Sequence, residues 1–121
     1  MPKSAFHDYV VHDLFRGFEG ITSRAMFGGW GLYRDGVTFG IIADDELYFK
    51  VGNQNRPKYE KKGSAPFVYE SRGKKVTMKS YWKVPADVME DAEELLDWIK
   101  ASQRVAKSVK QHSKRSMRRE M

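Results

Sequence analysis

The run Met26-Phe27-Gly28-Gly29-Trp30-Gly31 comes nearest to a ligand-binding device in its residue types. A glycine-rich loop that cradles phosphate needs its amides aimed from the N-terminus of a helix. Here Leu32-Tyr33 and a hairpin signal follow instead, and no Lys-Ser or Lys-Thr pair comes after the glycines. The run therefore reads as a bulge or a close backbone approach between strands. The histidines are His7, His12 and His112; His7 and His12 lie roughly 140° apart around a helix, too far to chelate one ion. Asp44, Asp45 and Glu46 share a turn without partners at liganding spacing and without a calcium-loop pattern, which reads as a solvated hairpin tip. The absence of cysteine excludes a thiolate metal site, a thiol nucleophile and a disulfide framework. Ser, Thr, Lys and Tyr abound, but none is paired in sequence with a positioned base. The expectation is a protein without catalytic residues, cofactor or metal.

Two features could bind nucleic acid. The first is a basic C-terminal stretch: Arg104, Lys107, Lys110, Lys114, Arg115, Arg118 and Arg119 stand against the single acid Glu120. The whole net charge of +6 resides in residues 104–121, and residues 1–103 are electrically balanced. Such a stretch could displace counterions from phosphates without reading sequence, or simply keep the chain soluble. The second feature is a strand face with Tyr48, Lys50, Lys75, Lys79, Tyr81 and Lys83. Aromatics interleaved with lysines can stack and neutralise single strands, and the same face also suits a solvated surface or a homodimer contact. A small-molecule sensor or enzyme is a further reading, which would need a pocket lined by Trp30, Tyr48 and Tyr81.

These residues must be placed by regular elements. Ser4 is a candidate N-cap for a helix over 4–18, whose Phe6, Val10, Leu14 and Phe18 recur every four residues until Gly17 and Gly20. From Thr22 the period changes to two. Strands are expected over 22–34 (kinked at the glycines), 37–43 and 46–51, joined by Asp35-Gly36 and Asp44-Asp45 turns. A short helix starts near Pro57 and ends at Gly63. Strands follow over Phe67–Glu70 and Lys75–Val84, the latter presenting Val76, Met78, Trp82 and Val84 on one face. After Pro85 and a cap at Asp87 or Asp91, Val88, Ala92, Leu95, Ile99, Ser102, Ala106 and Val109 step by three or four along a long helix. Its acidic start and basic end suit the helix dipole.

At 121 residues, 40% of them apolar, the chain makes one ordinary domain with a real core. The expected fold is α+β and two-layered: helix, three-strand meander, short helix, two strands, long helix, on an antiparallel sheet. Phe6, Leu14, Phe39, Phe49, Met78, Leu95 and Ile99 are its expected core. The domain should occupy 1–107, with 108–121 a disordered basic extension. No apolar run reaches the length of a membrane span and MPKSAFHDYV lacks a signal-peptide core, so no membrane association and a cytoplasmic location are expected.

The stretches Arg24-Ala25-Met26-Phe27-Gly28-Gly29-Trp30-Gly31-Leu32-Tyr33, Leu47-Tyr48-Phe49-Lys50-Val51, Gly63-Ser64-Ala65-Pro66-Phe67-Val68-Tyr69, Met78-Lys79-Ser80-Tyr81-Trp82-Lys83-Val84-Pro85 and Leu95-Leu96-Asp97-Trp98-Ile99 together resemble the N-terminal domain of the TfoX/Sxy family. The resemblance covers roughly residues 8–107 and implies a helix-flanked antiparallel sheet similar to secretion-chaperone and YgaC-like domains. It also implies a bacterial regulator of competence genes and transcription, working with the cyclic-AMP receptor protein or RNA polymerase; separately, a monomer or homodimer is expected. It assigns no catalytic or ligand role to the matched residues. The sequence stops where the family's second, helix-hairpin-helix-like domain would begin, so DNA contact is not implied by the matched part. The leading expectation is a non-enzymatic regulatory or interaction domain with the basic extension as an auxiliary.

Overall fold

Four turns with left-handed backbone set the strand boundaries. The computed structural model describes the backbone of residues 5–26 and 28–119, and the side chains of 5–26 and 28–108. Asp35 and Gly36 have φ of 52° and 78°, and Asp44 and Asp45 have 50° and 58°, the double positive φ that a type I′ hairpin turn requires. Arg72 and Gly73 repeat the pattern at 53° and 78°. The fourth reversal is at the glycine run, where Gly28 adopts φ 80°. Residues 22–34 are consequently two strands rather than one kinked strand, and the meander has four members: β1 (Ile21–Met26), β2 (Gly29–Arg34), β3 (Val37–Ala43) and β4 (Glu46–Lys50). With β5 (Pro66–Ser71) and β6 (Lys74–Lys83) they form an antiparallel sheet in the order β1-β2-β3-β4-β6-β5.

The N-terminal helix departs from the expected 4–18. It consists of α1 (Ala5–Asp8), widening directly into a π turn over Tyr9–Leu14. The Phe15 amide donates to the Val10 carbonyl five residues back, at 3.0 Å. That extra residue in the turn swings Phe15 inward, so Val10 and Phe15 are buried while Leu14 and Phe18 pack at the margin. The expected cap at Ser4 lies outside the described residues. The short helix α2 (Arg56–Lys61) and the turn α3 (Ala86–Met89) lead to α4 (Ala92–Arg119). Asp91 caps α4 by accepting from the Glu94 amide at 3.2 Å.

Register separates the two faces of the sheet. One row runs Ser23, Leu32, Gly40, Phe49, Trp82 and Pro66, and beside it lie Ala25, Trp30, Ile42 and Leu47. This face receives Val10, Phe15, Tyr59, Val88, Leu95, Trp98 and Ile99 from the helices, giving a single apolar core and a two-layer α+β fold. Between Leu32 and Tyr33 the pairing with β3 shifts, which leaves Phe39 as the extra residue of a bulge. The bulge turns the Phe39 ring into the core, edge-on to Phe15 and Phe49 at centroid distances of 5.7 and 5.5 Å.

Two polar anchors fix α4 against this layer. The Ser102 hydroxyl donates to the Lys50 carbonyl at 2.8 Å, and the Gln103 amide donates to the Arg34 carbonyl at 2.6 Å while accepting from the Arg34 guanidinium at 3.2 Å. Val105, beyond the point where the charge balance changes, is buried. The globular body therefore reaches past residue 103. Beyond Ser108, which is exposed, the expected extension over 108–121 falls on residues whose side chains lie outside the described set, although the α4 backbone continues to Arg119. Among the described residues no helix is long and apolar enough to cross a membrane.

Candidate interaction face

The second face of the sheet has the row Arg24, Gly31, Ile41, Tyr48, Lys83, followed by Lys50 opposite Tyr81. The helical residues of the core pack on the other side, so this face is left to the β5–β6 hairpin. How the hairpin comes to lie there follows from a second irregularity. Pro66 is paired with Trp82, but Phe67 is paired with Met78, so residues 79–81 face no β5 partner. The Trp82 indole N–H closes this detour by donating to the Lys79 carbonyl at 2.9 Å. Beyond it the strand is redirected, and the Phe67 ring lands on Tyr48 of β4 with centroids 4.6 Å apart.

A cleft of about 550 Å³ opens between this hairpin and the sheet, within the range of ordinary ligand sites. Met26, Gly28 and Gly29 border it from the β1–β2 turn, and Ile41 to Asp44 from the end of β3. Phe67, Tyr69 and Glu70 of β5 and Met78 and Tyr81 of β6 form the opposite wall. Trp30 and Ile42 of the core-side row also reach it. Among the described residues, the large apolar side chains that stay exposed include Met26 (40%), Tyr69 (39%) and Met78 (37%), all on this one cleft. Met78 was expected in the core; the detour at 79–81 breaks the alternation that would have sent it there. Trp82 and Val84, past the detour, are buried as the alternation predicts.

The glycines serve this architecture. A Cβ on Gly29 would lie 2.3 Å from the Ile42 carbonyl oxygen, so the expected close approach of strands is present, at a hairpin. Trp30 is held from the helix side by the His7 ring, stacked at 3.7 Å, and His7 is hydrogen-bonded to the Ser23 hydroxyl at 2.9 Å. Among the described residues no group of His, Asp and Glu is placed to hold a metal ion.

The lysine-tyrosine surface is assembled, but its rings are engaged. Tyr48 is covered by Phe67, the Lys50 ammonium lies 5.1 Å from the Tyr81 ring centroid, and Lys83 pairs with Glu46 at 3.2 Å. Burial raises the Tyr48 hydroxyl above its ordinary pKa, and the carboxylates of Glu46 and Asp44 push it the same way. Burial also raises Tyr81, partly opposed by a hydrogen bond with Thr38, and lowers Lys50. Tyr48 does not border the cleft, so the pocket of Trp30, Tyr48 and Tyr81 is realised through Trp30 and Tyr81 alone. Of the basic C-terminal residues, Arg104 and Lys107 are exposed on α4; the side chains of Lys110, Lys114, Arg115, Arg118 and Arg119 lie outside the described set.

Sequence reasoning identified Tyr48, Lys50 and Tyr81 on this face but missed Phe67, Tyr69 and Met78 as a cleft wall. The adjacent aromatics Tyr81-Trp82, which must point to opposite faces, were the available sign that both sides of β6 are apolar there.

Comparison with known protein families matches residues 13–106 to the TfoX N-terminal domain. No curated protein matches the chain.

Proposed function

The chain belongs to the TfoX N-terminal domain family, and from that premise we propose that it is a non-enzymatic interaction domain acting in transcription control, with its helix-free sheet face as the contact surface. The observation that carries the reading is the gathering of Met26, Tyr69 and Met78, exposed, on one cleft of that face. Exposed apolar side chains scattered singly need no explanation, whereas a contiguous group beside a groove marks a contact site. Methionine suits such a site because its unbranched, polarisable side chain adapts to different partners. Burying what remains exposed of these three side chains would contribute roughly 2–4 kcal/mol before the cost of association, so further contacts on the face must supply the rest.

The partner implied by the family is the cyclic-AMP receptor protein or RNA polymerase. Biolayer interferometry with the immobilised chain and each purified protein tests this. The expected result is saturable binding of one of them, weakened at least about tenfold by Met78→Glu. Binding of neither protein, or binding indifferent to Met78→Glu, contradicts the proposal.

A second reading, nucleic-acid binding, is favoured by the exposure of Arg104 and Lys107 beside further basic residues on the same helix. If all seven basic residues engaged duplex DNA, log affinity would fall against log salt with a slope no steeper than about −6. A chain lacking residues 108–121 that keeps the full slope removes these residues from the interaction.

A further inference from the structure

The charged groups bordering the cleft are of one sign. They are Asp44, at the turn after β3, and Glu70, on β5, with no lysine or arginine lining it among the described residues. Residues 1–103, which supply the whole lining, are electrically balanced, so this single sign is a local property of the cleft. The lining between Asp44 and Glu70 is largely apolar and includes the aromatics Phe67 and Tyr69, the Tyr81 ring being already met by the Lys50 ammonium. Rings present a negative face to cations, so the aromatics and the two carboxylates favour the same kind of guest.

We propose that this cleft receives a polypeptide segment in which apolar side chains are flanked by lysine or arginine, the apolar groups entering between Met26 and Met78 and the cations meeting Asp44 and Glu70. This inference rests on the interaction reading above and gives the partner's contact segment its chemistry. Anionic segments are disfavoured by the same two carboxylates, so the site discriminates by repulsion as well as attraction.

The test is an ¹⁵N-labelled full chain titrated with two synthetic peptides, acetylated and amidated: Gly-Lys-Leu-Phe-Leu-Arg-Gly and its counterpart with both cations replaced by glutamate. The expected result is saturable shifts at Gly29, Ala43, Asp44, Tyr69 and Met78 with the basic peptide, and about tenfold weaker binding of the acidic one. The double variant Asp44→Asn, Glu70→Gln should bring the two peptides to similar affinity. Asparagine tolerates the left-handed backbone at position 44 (φ 50°), so the variant leaves the turn intact. Equal affinity for both peptides in the native chain, shifts confined to the helices, or no saturation at about millimolar peptide overturns the proposal. So do the same shifts appearing with chain concentration and no peptide, which would give the cleft to a second copy. None of these readouts involves the cyclic-AMP receptor protein or RNA polymerase. A peptide failure with polymerase binding intact refutes only the cleft chemistry; peptide binding with no polymerase contact refutes the named partner.

Discussion

Lys50 carries its amine at the border of the open face, half-buried over the Tyr81 ring. Burial lowers its pKa below the ordinary 10.5, so the folded state binds that proton less tightly than the unfolded chain does. While Lys50 is charged it therefore weighs against folding, and the penalty disappears as pH rises through the lowered pKa towards about 10.5. Lys50→Met should accordingly stabilise the protein most near neutral pH, with the gain in urea unfolding shrinking as pH approaches the ordinary 10.5. A gain that grows with pH contradicts this assignment. Tyr59 presents the opposite problem: its hydroxyl is buried and has no hydrogen-bond partner among the described residues. Nearby Ser102 gives its proton to the Lys50 carbonyl, and burial pushes the Tyr59 pKa well up despite Ser102. An unsatisfied buried hydroxyl costs about 1–3 kcal/mol. Tyr59→Phe, which keeps the ring packed edge-on against Trp98, should be neutral or stabilising; a loss above about 1 kcal/mol in urea unfolding would mean the hydroxyl is satisfied.

At the scale of elements, α4 is tied to two strands by Ser102 and Gln103, both buried. Gln103→Ala removes both bonds with Arg34 and leaves its carbonyl and guanidinium short of partners. The expected cost is about 1–3 kcal/mol by chemical denaturation, and a loss below about 0.5 kcal/mol would mean that α4 is held by its apolar stripe alone. That stripe, the Asp91 cap, the Pro57 helix and the Asp-Gly and Asp-Asp turns were legible in the sequence, because each depends on local chemistry. The two irregularities were not. Phe39 faces the core with Gly40 because β3 bulges against β2, and a Cβ on Gly40 would lie 2.5 Å from the Tyr48 carbonyl. Alternation alone cannot show where a strand spends an extra residue. The same blindness placed Met78 inside, since the detour at 79–81 depends on pairing with β4 and β5 together. The glycine run was read correctly as a close approach but not as a turn, because a glycine fits both.

For the molecule as a whole, charge and structure divide at different places. The balanced segment ends at residue 103, yet Val105 is buried and packs near Gly52, so Arg104 and Lys107 are surface residues of the domain itself. The fold puts its helices on one side and leaves the other to a curled hairpin, which makes the two faces chemically unequal. If the open face is the working surface, a bound partner must shield it and leave the helical layer alone. Hydroxyl-radical footprinting of the chain with and without purified RNA polymerase or cyclic-AMP receptor protein, whichever binds, measures this directly. Tyr9, 45% exposed on the N-terminal helical segment, is the internal reference. The account predicts slower oxidation of Met26, Tyr69 and Met78 in the complex with Tyr9 unchanged. Protection of Tyr9 while both methionines oxidise at their free rates would contradict it.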